Sequence, residues 1–125
     1  MTPEHLRYME SHEWAAIQTD GTVKTGITFH AQEQLGDVVF VQPPETGRRV
    51  KRGEACAVIE SVKSASDIHA PVSGVIVAAN PVLADQPELV NRDPYGTWMF
   101  CIQPDDPDEL KLLLDPADYR KLVES

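Results

Sequence analysis

No apolar run in this chain approaches the roughly 20 residues that a helix needs to cross a bilayer, so no membrane role is expected. The start, Met1-Thr2-Pro3-Glu4-His5-Leu6-Arg7, has neither the apolar stretch of a signal peptide nor the basic amphipathic character of a transit peptide. A cytoplasmic protein is the simplest inference, and a mature organelle protein stripped of its targeting segment is compatible with the same absence. Basic residues are few: 11 Lys and Arg stand against 20 Asp and Glu, a formal net charge of −9. Nucleic acid, whose phosphates need a basic surface, is disfavoured. Partners with basic docking surfaces are favoured, in contacts that weaken with salt.

Cysteine is also scarce. Cys56 and Cys101 have no CxxC spacing, so neither a zinc site nor a thioredoxin-type motif is indicated. Both lie in apolar runs, where a raised thiol pKa makes a poor nucleophile. Free buried thiols are expected, and the sequence leaves a disulfide between them open. The histidines His5, His12, His30 and His69 are scattered, without a metal-ligand pattern such as HExxH. An enzyme built on a cysteine and a histidine is therefore disfavoured.

What the chain does have is 125 residues at 42% hydrophobic content, enough for one domain around a single core. Short β-branched and aromatic runs alternate with turn signals. Glu13 to Gln18 and Thr22 to Ile27 flank Asp20-Gly21 and read as a hairpin. Thr28 can cap a short helix ending at Gly36. Asp37-Val38-Val39-Phe40-Val41 is a strand, broken by Pro43-Pro44. An edge strand around Val50 carries Arg48-Arg49-Val50-Lys51-Arg52, read first as a solvated, protected edge and second as a docking patch. Gly74 to Ala79 is a further strand. Pro81 to Pro94 is loop-rich with one helical turn near Glu88-Leu89-Val90, and Thr97 to Ile102 is the last strand. Asp106-Pro107-Asp108-Glu109 has the features of a helix start. Leu110, Leu113 and Leu114 follow it as a stripe, and Asp115-Pro116 repeats the signal ahead of Tyr119 and Leu122. The expected domain is 1–125, with a β core over about 13–103 and C-terminal helices over about 106–123.

The most informative stretch runs from Ile59 to Ile68. Two apolar runs, Ala55-Cys56-Ala57-Val58-Ile59 and Ile68-His69-Ala70-Pro71-Val72, flank a short polar segment and read as a hairpin. Lys63 sits at its tip between Val62 and the small residues Ser61, Ser64 and Ala65. Such a lysine suits covalent attachment of a long group, although most lysines at hairpin tips only solvate a turn.

Glu60-Ser61-Val62-Lys63-Ser64-Ala65-Ser66-Asp67, followed by Ala70-Pro71-Val72-Ser73-Gly74, resembles the lipoyl-lysine segment of the glycine cleavage system H protein family. The resemblance extends through Ser11-His12-Glu13-Trp14, Gly26-Ile27-Thr28, His30-Ala31-Gln32, Leu35-Gly36-Asp37-Val38-Val39-Phe40-Val41, Pro87-Glu88-Leu89-Val90-Asn91 and Asp93-Pro94-Tyr95-Gly96. These blocks occur in family order over nearly the whole chain. Departures are Phe29, where the family usually carries a polar residue, a shortened Tyr95-Gly96-Thr97-Trp98 turn, and Pro43-Pro44 in place of an apolar-proline pair.

The resemblance implies a mainly β fold: an antiparallel barrel-sandwich hybrid of the lipoyl/biotinyl type, with short accessory helices and a C-terminal helical segment. It implies a non-catalytic carrier with lipoate joined by an amide to Lys63. The arm would shuttle the aminomethyl group of glycine from a pyridoxal-phosphate (PLP) glycine decarboxylase to a tetrahydrofolate-dependent aminomethyltransferase. A flavin (FAD) dihydrolipoamide dehydrogenase would then reoxidise it, and lipoylating enzymes would install it. Tethering keeps such cargo at high local concentration near a docked enzyme. The resemblance places Ser11, Glu13 and Asp67 at a cleft that receives the loaded arm, where a carboxylate can pair with its amine. No nucleic acid, membrane or metal is implied, and the carrier would be a monomer. Alternatives are an H-like lipoate-binding protein of bacterial sulfur oxidation or lipoyl relay, and an unmodified interaction module. Val62 and Ser64, in place of methionines, disfavour a biotin carrier.

Overall fold

The computed structural model describes residues 2–124. The described chain runs β1 (Arg7–Tyr8), β2 (Glu13–Ile17), β3 (Val23–Ile27), α1 (Phe29–Leu35), β4 (Val38–Gln42), β5 (Arg49–Val50), β6 (Ala55–Ser61), β7 (Ala65–His69) and β8 (Gly74–Ala79). It continues through α2 (Val82–Asp85), α3 (Leu89–Arg92), β9 (Phe100–Pro104), a 3-10 helix (Pro107–Leu112) and α4 (Pro116–Glu124). Two antiparallel sheets form, one in the order β1-β2-β3-β9-β8-β5 and the other β4-β6-β7. Their inner faces supply one core. Ala15, Ile27, Ile76, Phe100 and Ile102 from the larger sheet meet Val38, Val41, Ile59 and Ile68 from the smaller. This is the barrel-sandwich arrangement expected, driven by burial of alternate residues on both sheets.

Local chemistry explains the elements. Asp20-Gly21 closes the β2–β3 hairpin, with Gly21 at φ 88°; the Asp20 carboxylate accepts from both the amide and the hydroxyl of Thr22. Thr28 caps α1 by accepting from the Ala31 amide. Gly36 ends the helix at φ 75° and ψ −158°, a conformation open in practice to glycine only.

A smaller cluster covers the outer side of the β1–β2 edge. There Tyr119 of α4 stacks on Tyr8 with ring centroids 4.5 Å apart, beside Leu6 and Trp14. The Trp14 indole lies across Gly26, where a Cβ would come within 2.6 Å of it.

Several expectations change. The last strand begins at Phe100 rather than Thr97, because the preceding residues are drawn off into other bonds: the Thr97 hydroxyl donates to the Leu89 carbonyl, and the Trp98 carbonyl accepts from Asn80. The 81–94 connection holds two short helices, α2 and α3, not one turn. The segment after Asp106 forms a 3-10 helix. Glu109 does not reach back to close a capping box; its carboxylate instead accepts from the Ser73 amide at 2.7 Å. On α4 the buried face is Tyr119 with Val123, and Leu122 points to solvent. The arginine run is a tied edge. Arg48 pairs with Glu54, Arg49 with Asp105 and Arg52 with Glu109.

Candidate functional site

The lysine turn is three residues, Val62 to Ser64, between β6 and β7. Ser61 organises it. The Ser61 amide donates to the Ser64 carbonyl at 2.8 Å, and its hydroxyl accepts from the amides of Lys63 and Ser64. A hydroxyl that bonds its own turn stiffens it in this way. The Val62 amide then donates 3.0 Å to the Asp37 carbonyl, tying the turn to the start of β4. Lys63 is exposed and forms no ion pair among the described residues. Val62, Val39 and Phe40 are also exposed around this end of the sheet.

The Lys63 side chain lies against the end of α1. A Cβ placed on Gly36 would be 3.0 Å from Lys63 Cε and 3.7 Å from Nζ. Glycine is thus required there twice, by its backbone conformation and by the lysine resting on it. Asn91, on α3, fixes this junction. Its Oδ1 accepts from the Val38 amide at 2.9 Å, while its Nδ2 donates to the Gly36 carbonyl at 2.8 Å and to Gln32.

Beside the turn is a cleft of about 170 Å³. Ile27, Ala31, Leu35 and Ile68 give it apolar walls, and Ser11, His12, Gln34, Ser64, Ser66 and Asp67 line its polar parts. The structure therefore brings Ser11 and Asp67 together on one cleft next to Lys63. Glu13 is placed differently. It is 1% exposed and lies beneath Ser11, whose hydroxyl donates to its Oε1 at 2.5 Å. Its Oε2 accepts from the amide of His69 at 2.7 Å and is 2.9 Å from His69 Nδ1. Glu13 begins β2 in one sheet, and His69 ends β7, an edge strand of the other. One carboxylate thus joins the two sheets at the cleft and satisfies an edge amide.

His12 shapes the other side of the cleft. It adopts φ 77°, a left-handed conformation uncommon outside glycine. Its Nδ1 lies 2.8 Å from the Tyr119 hydroxyl, which is 2.7 Å from the Thr28 hydroxyl. Its ring is 4.6 Å from that of His30. Burial, helped by the neighbouring His30, lowers the His12 pKa and so favours the neutral ring.

Sequence reasoning gave no role to Ser61, Asn91, His12 or His69. The Ser61-Val62-Lys63-Ser64 spacing is a legible hydroxyl-turn signal. The roles of Asn91, His12 and His69 depend on contacts across 53 or more positions.

Cys56 and Cys101 are free and buried. Burial pushes the Cys56 thiol up to about 11 and raises that of Cys101 as well, so both are weak nucleophiles. Among the described residues no group of three or more His, Cys, Asp or Glu could hold a metal ion, and no helix is long and apolar enough to cross a membrane.

Phe29, the first residue of α1, is about half exposed and lines a separate hollow with His30, Tyr95 and Tyr119. It stands at the opposite end of α1 from Gly36 and Lys63.

Comparison with known proteins places these features in context. The model of the glycine cleavage H-protein family matches residues 6–125. The glycine cleavage system H protein of Methylococcus capsulatus is 55% identical over 122 residues, covering 98% of this chain and 96% of that one. The protein of the same name from Alkalilimnicola ehrlichii is 57% identical, covering 97% and 94%. The crystal structure of a glycine cleavage system H protein from Mycobacterium marinum superposes with a TM-score of 0.89 at 41% identity, covering 98% of this chain and 99% of that one.

Proposed function

Because the chain belongs to the glycine cleavage H-protein family, we propose that it is the lipoyl carrier of a glycine cleavage system, with Lys63 as the attachment residue. The observation that carries this is the pairing of an exposed lysine on a pinned three-residue turn with a cleft beside it. Lipoate amide-linked to that amine would supply a disulfide able to take up electrons and a one-carbon unit from glycine.

The chain's own residues do the display and the holding. Ser61 and the Asp37 carbonyl fix the direction in which Lys63 leaves the surface. Gly36 offers a surface without a side chain over which the lysine stem lies. The cleft fits such an arm: Ile27, Leu35 and Ile68 suit a hydrocarbon chain, and Ser11, Asp67 and the Glu13 carboxylate below them suit a cationic end. Seated there, an amine is held away from bulk water. The enzymes served would be the PLP-dependent decarboxylase, the aminomethyltransferase and the flavin dehydrogenase of the same system. No catalytic role falls to this chain, whose two thiols are buried and disfavour ionisation.

The test is intact-protein mass spectrometry with peptide mapping after expression with lipoate and a lipoylating enzyme. A lipoyl-sized increase on Lys63, absent in Lys63→Arg, is the expected result. Absence of the adduct on demonstrably folded wild-type protein would overturn the reading.

A further inference from the structure

Glu13 presents its two oxygens unequally. Oε2 takes two contacts from a single residue, the amide of His69 at 2.7 Å and Nδ1 at 2.9 Å. Oε1 takes only the Ser11 hydroxyl among the described residues. Ser11 is exposed and lines the cleft, so its hydroxyl can swing aside without disturbing the core. The amide of His69 cannot, because it belongs to β7. With Glu13 as the carboxylate, which has no proton to give, Nδ1 of His69 would carry the proton between them. That fixes the tautomer of a neutral ring, with Nε2 left as the atom that gains the second proton. The His69 side chain is 31% exposed and can exchange that proton with solvent.

We propose that His69 is the positioning residue of the arm cleft: it locks Oε2 of Glu13, leaves Oε1 as the oxygen that meets a cationic arm, and by its own protonation competes with that cation for the Glu13 charge. The inference rests on the reading that Lys63 carries the arm and that the cleft receives its loaded end. With His69 neutral, the pair carries one negative charge and attracts an ammonium. With His69 protonated, the pair is neutral, and an arriving cation meets a second cation nearby. Two such charges in a partly buried site repel strongly. Linkage makes the effect reciprocal: acidification that loosens the arm implies that a seated cation makes His69 harder to protonate.

Other ionisable groups surround the pair. The Cys56 thiol on β6 and the Tyr119 phenol on α4 both feel the Glu13 charge, which helps to raise their pKa values, and neither ionises near neutrality. Asp67 lies two residues before His69 on β7. Arg52 lines the adjoining hollow beside Ser11. His12 lines the cleft itself, with His30 against it. His12 and His30 are the competing imidazoles to His69, and all three rings are resolvable by side-chain NMR.

The experiment is an NMR titration of the histidine rings in three forms of the full chain: unmodified, lipoylated and oxidised, and loaded by glycine with glycine decarboxylase. The oxidised arm has no charged end, so the His69 midpoint should match that of the unmodified protein. In the loaded form it should fall by about one pH unit. Methyl shifts of Ile27, Leu35 and Ile68 report in the same spectra whether the arm is seated. Methyls that move with a stationary His69 midpoint would overturn the inference and leave the carrier reading intact. Methyls that do not move on loading would overturn the cleft reading and the inference with it. His69→Gln keeps an N–H donor for Oε2 but cannot charge. In that variant, cleft occupancy should lose the part of its pH dependence that tracks the His69 ring between about 5 and 8, the range in which histidine titrates, and keep only what His12 and His30 contribute. Persistence of the wild-type pH dependence there would also overturn the inference.

Discussion

The lysine turn and the floor of the cleft beside it are built on opposite principles. The turn is exposed, and three of its bonds come from one residue, Ser61, within three positions of its partners. The floor rests on a buried carboxylate, beneath the lining residues, whose partners at His69 lie 56 residues away. On the proposed reading the turn displays a group that reacts with other proteins, and its residues are free of the core. The floor must hold a charge in a fixed place, so it is embedded between two sheets. A substitution at the turn should therefore change chemistry and spare stability, and one at the floor should do the reverse.

Lys63→Arg is the sharpest probe of that contrast. It should remove all lipoyl mass gain and all glycine-cleavage carrier activity, while urea denaturation shows a change within about 0.5 kcal/mol, as for an exposed site. At the floor, Glu13→Ala leaves the Ser11 hydroxyl and the His69 amide without their acceptor. A cost of about 3 kcal/mol is expected, the upper range for charge-assisted bonds, read as a lowered urea midpoint with an unchanged slope. Asn91→Ala tests the junction between the two regions. It should cost about 2 kcal/mol and speed hydrogen exchange at the Val38 amide, with unmodified protein sufficing for both readings. Gly36→Ala combines a backbone conformation open in practice to glycine only with a Cβ pressed on Lys63, and about 2 kcal/mol of destabilisation is expected.

The smallest effect is a pH dependence. The neutral form of His12 is favoured in the fold, with its pKa below the ordinary 6.5. Its contribution is therefore complete above about pH 6.5 and lost as the pH falls from there through the lowered value. Thermal melts of wild type and His12→Asn should converge on acidification through that window. A gap that widens instead would contradict the assignment.

The same contrast explains what could be read before the structure. The β-hairpin around Lys63, the Thr28 cap and the Gly36 stop are local events, and adjacent residues encode them. The family resemblance added Ser11, Glu13 and Asp67 as a group, with Glu13 put ahead of the other two. Their ordering in depth, with Ser11 and Asp67 on the cleft and Glu13 beneath, is a matter of sheet packing. His69 occupies an unremarkable place in an apolar run, and only the meeting of β7 with β2 gives it a carboxylate to hold. The C-terminal errors have a similar source. Glu109 follows Asp106 at capping-box spacing, but the Ser73 amide, 36 residues away, is nearer at hand in the folded chain. The exposure of Leu122 follows from Tyr8, whose stacking on Tyr119 sets the rotation of α4.

The Val62–Asp37 bond has a mechanical consequence. A swinging arm whose base also swings would sweep a blurred region with no preferred axis. Here the turn is clamped to the start of β4, so an arm carried on Lys63 would move about a still fulcrum. On the proposed reading the sweep would be a fixed cap of space over one end of the molecule, and the same pivot would face each enzyme of the system. Lengthening the turn by two residues would release the clamp and spread the cargo over a larger volume, even with the attachment chemistry left whole.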